Sequence, residues 1–379
     1  MIDIDEQFPL SSSLCYLNHA AMGPWPKRTA AAVAAFAEEN MREGATHYER
    51  WLKTEQELRQ ALARLLNAPS SDDIALLKNT SEGLSLIAYG IEWAEGDEIL
   101  LLEHEFPSNR IVWESLRAKG VNVKVLETLG GDDAEDTLIA NASERTRLIT
   151  VSSVQYASGL RMDLQRLSRF CQQQNILLCI DAIQSLGALP FDIQETAADF
   201  VVADGHKWML GPEGIAVFYC APKQRQRLTL HQYGWHMVKA LGDYDRSDWQ
   251  VADSARRFEC GSPNMLGIHA LNASLDLLLE VGIDVIARQM LTNTRYLIEQ
   301  LGNDPKVTIT SVTESGRHGG IVTFRHSTMD SAALYRGLRA NNVICAHRGG
   351  GIRFSPHFYN SQQQLDYAVE TVQRLVQAA

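Results

Sequence analysis

The chain has 379 residues, 45% of them apolar and 21% charged, with a formal net charge of −11. That length suits a large domain plus a smaller one, and the composition is that of an ordinary soluble globular protein, which argues against disorder. No Lys/Arg-rich run offers a basic face for nucleic acid, so the acidity reads as solubility.

The N-terminus, Met1-Ile2-Asp3-Ile4-Asp5-Glu6, is acidic and lacks the basic start and apolar core of a signal peptide. The most apolar runs are broken by charge before they reach membrane-spanning length. The cysteines are Cys15, Cys171, Cys179, Cys220, Cys260 and Cys345, and no two form a CxxC pair, which argues against a zinc knuckle and fits a reducing compartment. The expectation is a cytoplasmic protein with no metal, no nucleic acid and no membrane partner.

Along the chain, Ala30–Leu66 is rich in Ala, Glu, Leu and Arg and reads as two helices with a break near Gly44. From Ile74 onward, short apolar runs alternate with amphipathic stretches. The runs are Ile74–Leu77, Glu98–Leu102, Val121–Val125, Leu148–Val154, Ile176–Ile180, Phe200–Val202 and Ile215–Tyr219. Near-continuous Val, Ile and Leu predict buried strands of a mostly parallel sheet. Ser81–Tyr89, Ser108–Ala118 and Leu164–Gln174 read as helices between them. This alternation predicts an α/β fold with a sheet sandwiched by helices. After Asn264 come long helices (Gly267–Glu280, Ile283–Leu301), strands at Lys306–Ile309, Gly320–Phe324 and Ile352–Phe354, and a last helix at Gln362–Val376. These predict a smaller α+β C-terminal domain. The division expected is 15–262 for the large domain, with 1–14 joining 263–379 in the smaller one.

Ligands of such sheets sit beyond the carboxyl ends of the strands, so the residues there are the candidates. Lys78-Asn79-Thr80-Ser81-Glu82-Gly83 follows the first run and opens a helix. It has capping-box spacing, and the free N–H groups with the Thr80 and Ser81 hydroxyls suit either an ordinary cap or a phosphate. Phe106 follows the second run, as a core aromatic or as a stacking face for a planar ring. Asp181 follows five apolar residues and needs a partner: a pyridinium nitrogen, or the N-terminus of a following helix. Lys207 lies between a strand and the Gly211-Pro212-Glu213-Gly214 turn. As a covalent aldehyde-binding amine it must lose its proton, through desolvation or nearby positive charge. The chain has no HExxH, no GxSxG, no GK[ST] and no GxGxxG after a strand. Gly349-Gly350-Gly351 precedes a strand and is not read as a dinucleotide loop.

With these residues in hand, the sequence resembles the class V aminotransferases, fold type I enzymes that use pyridoxal 5′-phosphate (PLP). The resemblance runs from Tyr16-Leu17-Asn18-His19-Ala20-Ala21 to Arg353-Phe354-Ser355-Pro356-His357-Phe358-Tyr359-Asn360. Its most specific pieces are Asp181-Ala182-Ile183-Gln184-Ser185, Gly205-His206-Lys207-Trp208 and Arg257-Phe258-Glu259-Cys260-Gly261-Ser262-Pro263-Asn264. It implies that Lys207 forms the Schiff base and moves the α-proton, and that Asp181 pairs with the ring nitrogen. Gln184 would lie near the ring hydroxyl, Tyr156 near the ring, and Phe106 would stack on it. Thr80, Ser81 and His206 would contact the phosphate. Ser262 would reach the phosphate of a neighbouring subunit, which implies a homodimer with shared sites. Arg353 would grip the carboxylate of a small amino-acid substrate, Asn18 would line the substrate side, and Arg348 would suit a second acidic group.

Three positions depart from the pattern. Asp204 stands where many relatives carry serine; a carboxylate beside a phosphate is repulsive unless protonated or turned away, so it is left out of the site. Tyr156 stands where cysteine desulfurases carry asparagine. Cys345 sits too close to Arg353 to leave room for the extended cysteine-bearing loop of those enzymes. Details such as Glu105-Phe106-Pro107-Ser108-Asn109 look closer to isopenicillin N epimerase-like and kynureninase-like members. The expected activity is transamination or loss of a β-substituent. Alternatives are a cysteine desulfurase or selenocysteine lyase, an epimerase, or a non-catalytic PLP-binding protein.

Overall fold

The computed structural model of the chain describes residues 2–128 and 133–378. A short strand, β1 (Cys15–Tyr16), precedes the main sheet. That sheet has seven strands: β2 (Ile74–Leu77), β3 (Glu98–Leu102), β4 (Asn122–Leu126), β5 (Thr146–Ser152), β6 (Leu177–Asp181), β7 (Phe200–Asp204) and β8 (Ala216–Cys220). Their order across the sheet is β2-β8-β7-β6-β5-β3-β4. Only β8 runs against its neighbours, pairing antiparallel with both β2 and β7. The carboxyl ends of β2, β3, β6 and β7 therefore all meet one edge of the sheet.

Alternate residues along each central strand face opposite sides, and both sides are apolar. Leu100, Ile149, Leu178, Ile180 and Val201 belong to one core, with helices Tyr48–Leu66, Leu164–Gln174 and Met265–Val281 packed on it. Ile99, Leu101, Leu148, Cys179, Phe200 and Val202 belong to the other, covered by Thr80–Gly90 and Ser108–Glu114. This double burial explains why the strands read as continuous rather than alternating apolar runs.

The second layer of structure holds β9 (Val307–Ile309), β10 (Val322–His326), β11 (Val343–Ile344), β12 (Ala346–Arg348) and β13 (Gly351–Phe354). Four of these form an antiparallel sheet in the order β12-β13-β10-β9, while β11 pairs in parallel with β1. The helix Ser331–Ala340 and the strand β12 have no counterpart in the sequence reading. With β12 present, Gly349 and Gly350 become the two-residue turn of a hairpin, at φ of 63° and 70°. A turn with both central residues at positive φ favours Gly-Gly. The triplet therefore links two strands, with Arg348 at the end of the first. Among the described residues, no helix is long and apolar enough to cross a membrane.

Candidate active site

At the common strand edge lies a cavity of about 250 Å³, lined by Thr80, Ser81, Phe106, Asp181, His206, Lys207 and Arg348, together with Asp204 and Glu213. Seven sequence candidates thus converge there.

One end of the cavity is built on the start of the Thr80–Gly90 helix. Asn79 caps it, its side chain accepting from Glu82 N at 2.9 Å. The Glu82 carboxylate reaches back to Lys78 N, one residue before the cap. This leaves Thr80 and Ser81 at the first turn, where N–H groups and the helix dipole favour an anion. Ser81 Oγ donates to Ser108 Oγ at 2.9 Å, and Thr80 Oγ1 accepts from Asp204 N at 3.1 Å.

Asp181 ends β6 and is 1% exposed. No helix starts there: its Oδ1 accepts from Ile183 N at 3.0 Å in a tight turn, so the helix-cap alternative falls away. Burial first, with Glu105 and Asp204 adding to it, pushes this carboxyl up to about 7; the Ile183 N–H and Lys207 pull the other way. Lys207 is 6% exposed. Burial pulls its amine down to about 8, assisted by Arg353 and Arg348 and opposed by Asp181. Its Nζ sits 5.4 Å from the centroid of the Phe106 ring. The turn that projects it is tight: Leu210 N returns to Lys207 O, and Leu210 takes a φ of 57°. A side chain on Gly187, at φ 93°, would strike Trp208 O at 2.4 Å. Such crowded, non-extended backbone is typical where a fold fixes a reactive group.

Five candidates stand outside the lining. Tyr156 meets Phe106 edge-on, ring centroids 5.3 Å apart. Arg353 is fully buried; its Nη1 donates to Tyr156 O at 2.7 Å, while Nε and Nη2 have no hydrogen-bond partner. Burial, and then Arg348, pulls its guanidinium down to about 9. Asn18 O accepts from Ala21 N and Met22 N, a turn that sets Ala21 on the cavity rim. Gln184 donates through Nε2 to Ala20 O and accepts from Trp208 Nε1, so both ends of its amide are engaged away from the cavity. Ser262 is exposed, in a separate groove with Gly214 and Gln232.

Asp204, left out on the argument from repulsion, is in the lining. It is buried, and its Oδ1 lies 2.9 Å from His206 Nδ1 without the alignment of a hydrogen bond. Glu105 was not singled out. It lies fully buried behind Phe106, taking hydrogen bonds from Ser152 N, Ser152 Oγ, Gln155 Nε2 and Asn109 Nδ2.

A family model described as aminotransferase class V matches residues 15–367. The chain belongs to the class V aminotransferase family. Its cofactor is PLP, and it is a PLP-dependent enzyme. Among curated relatives, a probable cysteine desulfurase of Methanothermobacter thermautotrophicus is 29% identical, covering 98% of this chain and 97% of its own. The cysteine desulfurase of Pectobacterium atrosepticum is 30% identical over 84% of this chain and 81% of its own. Among solved structures, a C-DES variant with glycine covalently linked to its PLP cofactor has a TM-score of 0.90 at 22% identity, covering 99% of each chain. The apo cysteine desulfurase of Thermococcus onnurineus has a TM-score of 0.88 at 22% identity, covering 100% of this chain and 98% of its own. These two likenesses bear on the fold alone.

The residues present fit the cofactor. A flat ring fits over the Phe106 face, a ring N–H answers the buried Asp181 carboxylate, and a phosphate answers the helix start at Thr80 and Ser81.

Proposed function

We propose that the chain is a β-eliminating lyase that acts on a small, sulfur-containing amino acid. When bound, PLP supplies an aldehyde for the substrate amine and an electron-withdrawing ring for the α-carbon. Lys207 Nζ holds the cofactor and, once displaced, takes the proton from the substrate Cα. General base catalysis of this kind is worth about 10²–10⁴ in rate. The Asp181 carboxylate holds a proton at the ring nitrogen. Phe106 and Tyr156 fix the ring plane, and Thr80, Ser81 and His206 hold the phosphate. Arg353 orients the substrate through its carboxylate, with Asn18 and Arg348 on the same side. The β-substituent leaves with its bonding pair and takes up a proton, and the three-carbon remainder, once released, adds one water to give pyruvate and ammonia.

The observation that carries this reading is the pair Lys207 and Asp181. Both are buried at adjacent strand ends, and each is shifted towards neutrality by burial. Elimination is preferred to a desulfurase reaction because, among the described residues, no cysteine stands in the cavity to receive sulfur. Cys345 is 2% exposed, just before β12, and burial pushes its thiol up to about 12, where almost no thiolate forms at neutral pH. None of the other cysteines lines the cavity. The desulfurase reading keeps the support of the relatives' names.

Product analysis separates the two. With cysteine and cystine as substrates, elimination releases pyruvate and ammonia in equal amounts. Desulfurisation leaves alanine and a protein-bound persulfide, and alanine as the main product refutes the proposal.

We also infer a homodimer working in the cytoplasm. Ser262 faces solvent in its own chain, beside a groove of Leu86, Tyr89, Leu230 and Phe258 that a second copy would cover.

A further inference from the structure

The cavity lining holds three carboxylates, Asp181, Asp204 and Glu213, against the cations Lys207 and Arg348. Asp181 ends β6, Asp204 ends β7, Glu213 comes from the turn before β8, and Arg348 from the end of β12. From the Thr80–Gly90 helix come only the neutral Thr80 and Ser81. A phosphate entering beside Thr80 therefore meets a carboxylate at Asp204, whose backbone N–H is already tied to Thr80 Oγ1. His206 lies beside Asp204: its Nδ1 is 2.9 Å from Asp204 Oδ1, and neither atom has a hydrogen-bond partner.

We infer that Asp204 is a positioning residue that aims His206 at the cofactor phosphate. The carboxylate takes the Nδ1–H, which turns the opposite nitrogen, Nε2, to the phosphate oxygens. The imidazole then joins the two acceptors, with Nδ1–H towards the carboxylate and Nε2–H towards the phosphate. A carboxylate behind an imidazole fixes ring orientation and strengthens the bond made on the far side. The repulsion that argued against Asp204 is thereby offset through His206. This inference rests on the proposed phosphate site at Thr80, Ser81 and His206.

The test is the affinity of the apoprotein for PLP and for pyridoxal, which lacks the phosphate, read from the cofactor absorbance. D204N is expected to weaken PLP binding at least tenfold and to change pyridoxal binding less than twofold. In an H206Q background the sign reverses: with no imidazole to aim, D204N removes only repulsion and tightens PLP binding. Asp204→Ser, a smaller replacement, serves where D204N does not fold, with the same expected pattern. Equal losses for PLP and pyridoxal overturn the inference, as do additive losses in the double variant or tighter PLP binding by D204N alone. If the unaltered chain binds PLP no better than pyridoxal, the phosphate site itself is wrong, a failure distinguishable from that of Asp204.

Discussion

Replacing Arg353 by lysine keeps the positive charge and most of the buried stem but removes the planar fork. In the structure one nitrogen, Nη1, is engaged by Tyr156 O, and the other two, Nε and Nη2, have no partner although the residue is fully buried. A buried guanidinium with two free donors is costly unless an anion completes it. A carboxylate docking there takes two parallel charge-assisted hydrogen bonds, each worth about 1.5–3 kcal/mol. Lysine offers a single point donor and loses one of them, about 1.5–3 kcal/mol, or roughly 10- to 150-fold in kcat/KM. The assay is steady-state turnover of the amino acid, beside the affinity of the holoprotein for the matching amine without a carboxylate. The amino acid should suffer the full loss and the amine should bind as before. Loss of less than threefold, or an equal loss for the amine, refutes a carboxylate role for Arg353.

Arg348 is exposed, lines the cavity and has no ion-pair partner among the described residues. Its replacement by alanine should raise KM for a substrate with a second acidic group roughly fivefold, about 1 kcal/mol for an exposed pair, and leave alanine binding unchanged; equal effects on both contradict the assignment. Cys345→Ala should leave sulfur release within about twofold and lower stability by about 1 kcal/mol, whereas a variant that is folded but inactive restores the desulfurase reading. His357 is buried, with Nδ1 accepting from Phe358 N and Nε2 beside Trp208 O, so its neutral form is built in. Burial pulls it down to about 4, against about 6.5 in the unfolded chain. Between those values the unfolded state holds the extra proton. Stability is therefore full above about pH 6.5 and falls by about 3 kcal/mol as the pH drops to 4. Urea unfolding at pH 7.5 and pH 4.5 measures this, and a His357→Gln protein with the same pH slope refutes it.

Much of the fold is legible because the main sheet is buried on both sides. Double burial turns β3, β5, β6 and β7 into apolar runs that end where a polar residue begins, and the ends are where Asp181 and Lys207 stand. The smaller sheet is less legible. β12 is three residues long with two of them exposed, so Ala346-His347-Arg348 carries no apolar pattern. Only its pairing with β13 reveals the Gly349–Gly350 hairpin. The Ser331–Ala340 helix buries just Leu334 and Leu338, too few for a clear period. Within the site, Phe106 and Thr80 follow from strand ends, but Arg353 does not. It lies inside β13, and its burial depends on Tyr156, which is 197 residues away in the chain. Asp204 lines the cavity although a pairwise argument, carboxylate against phosphate, speaks against it, and its neighbour His206 is brought beside it by the turn after β7. Glu105 was passed over because its four hydrogen bonds come from Asn109, Ser152 and Gln155, which only the fold brings together.

The central claim is that Lys207 carries the cofactor, and peptide mapping after borohydride reduction tests it most directly. The reduced holoprotein should carry one pyridoxyl phosphate group per chain, on the peptide that contains Lys207, and the Lys207→Ala protein should carry none. A label on any other lysine, or one that survives in the Lys207→Ala protein, contradicts the account.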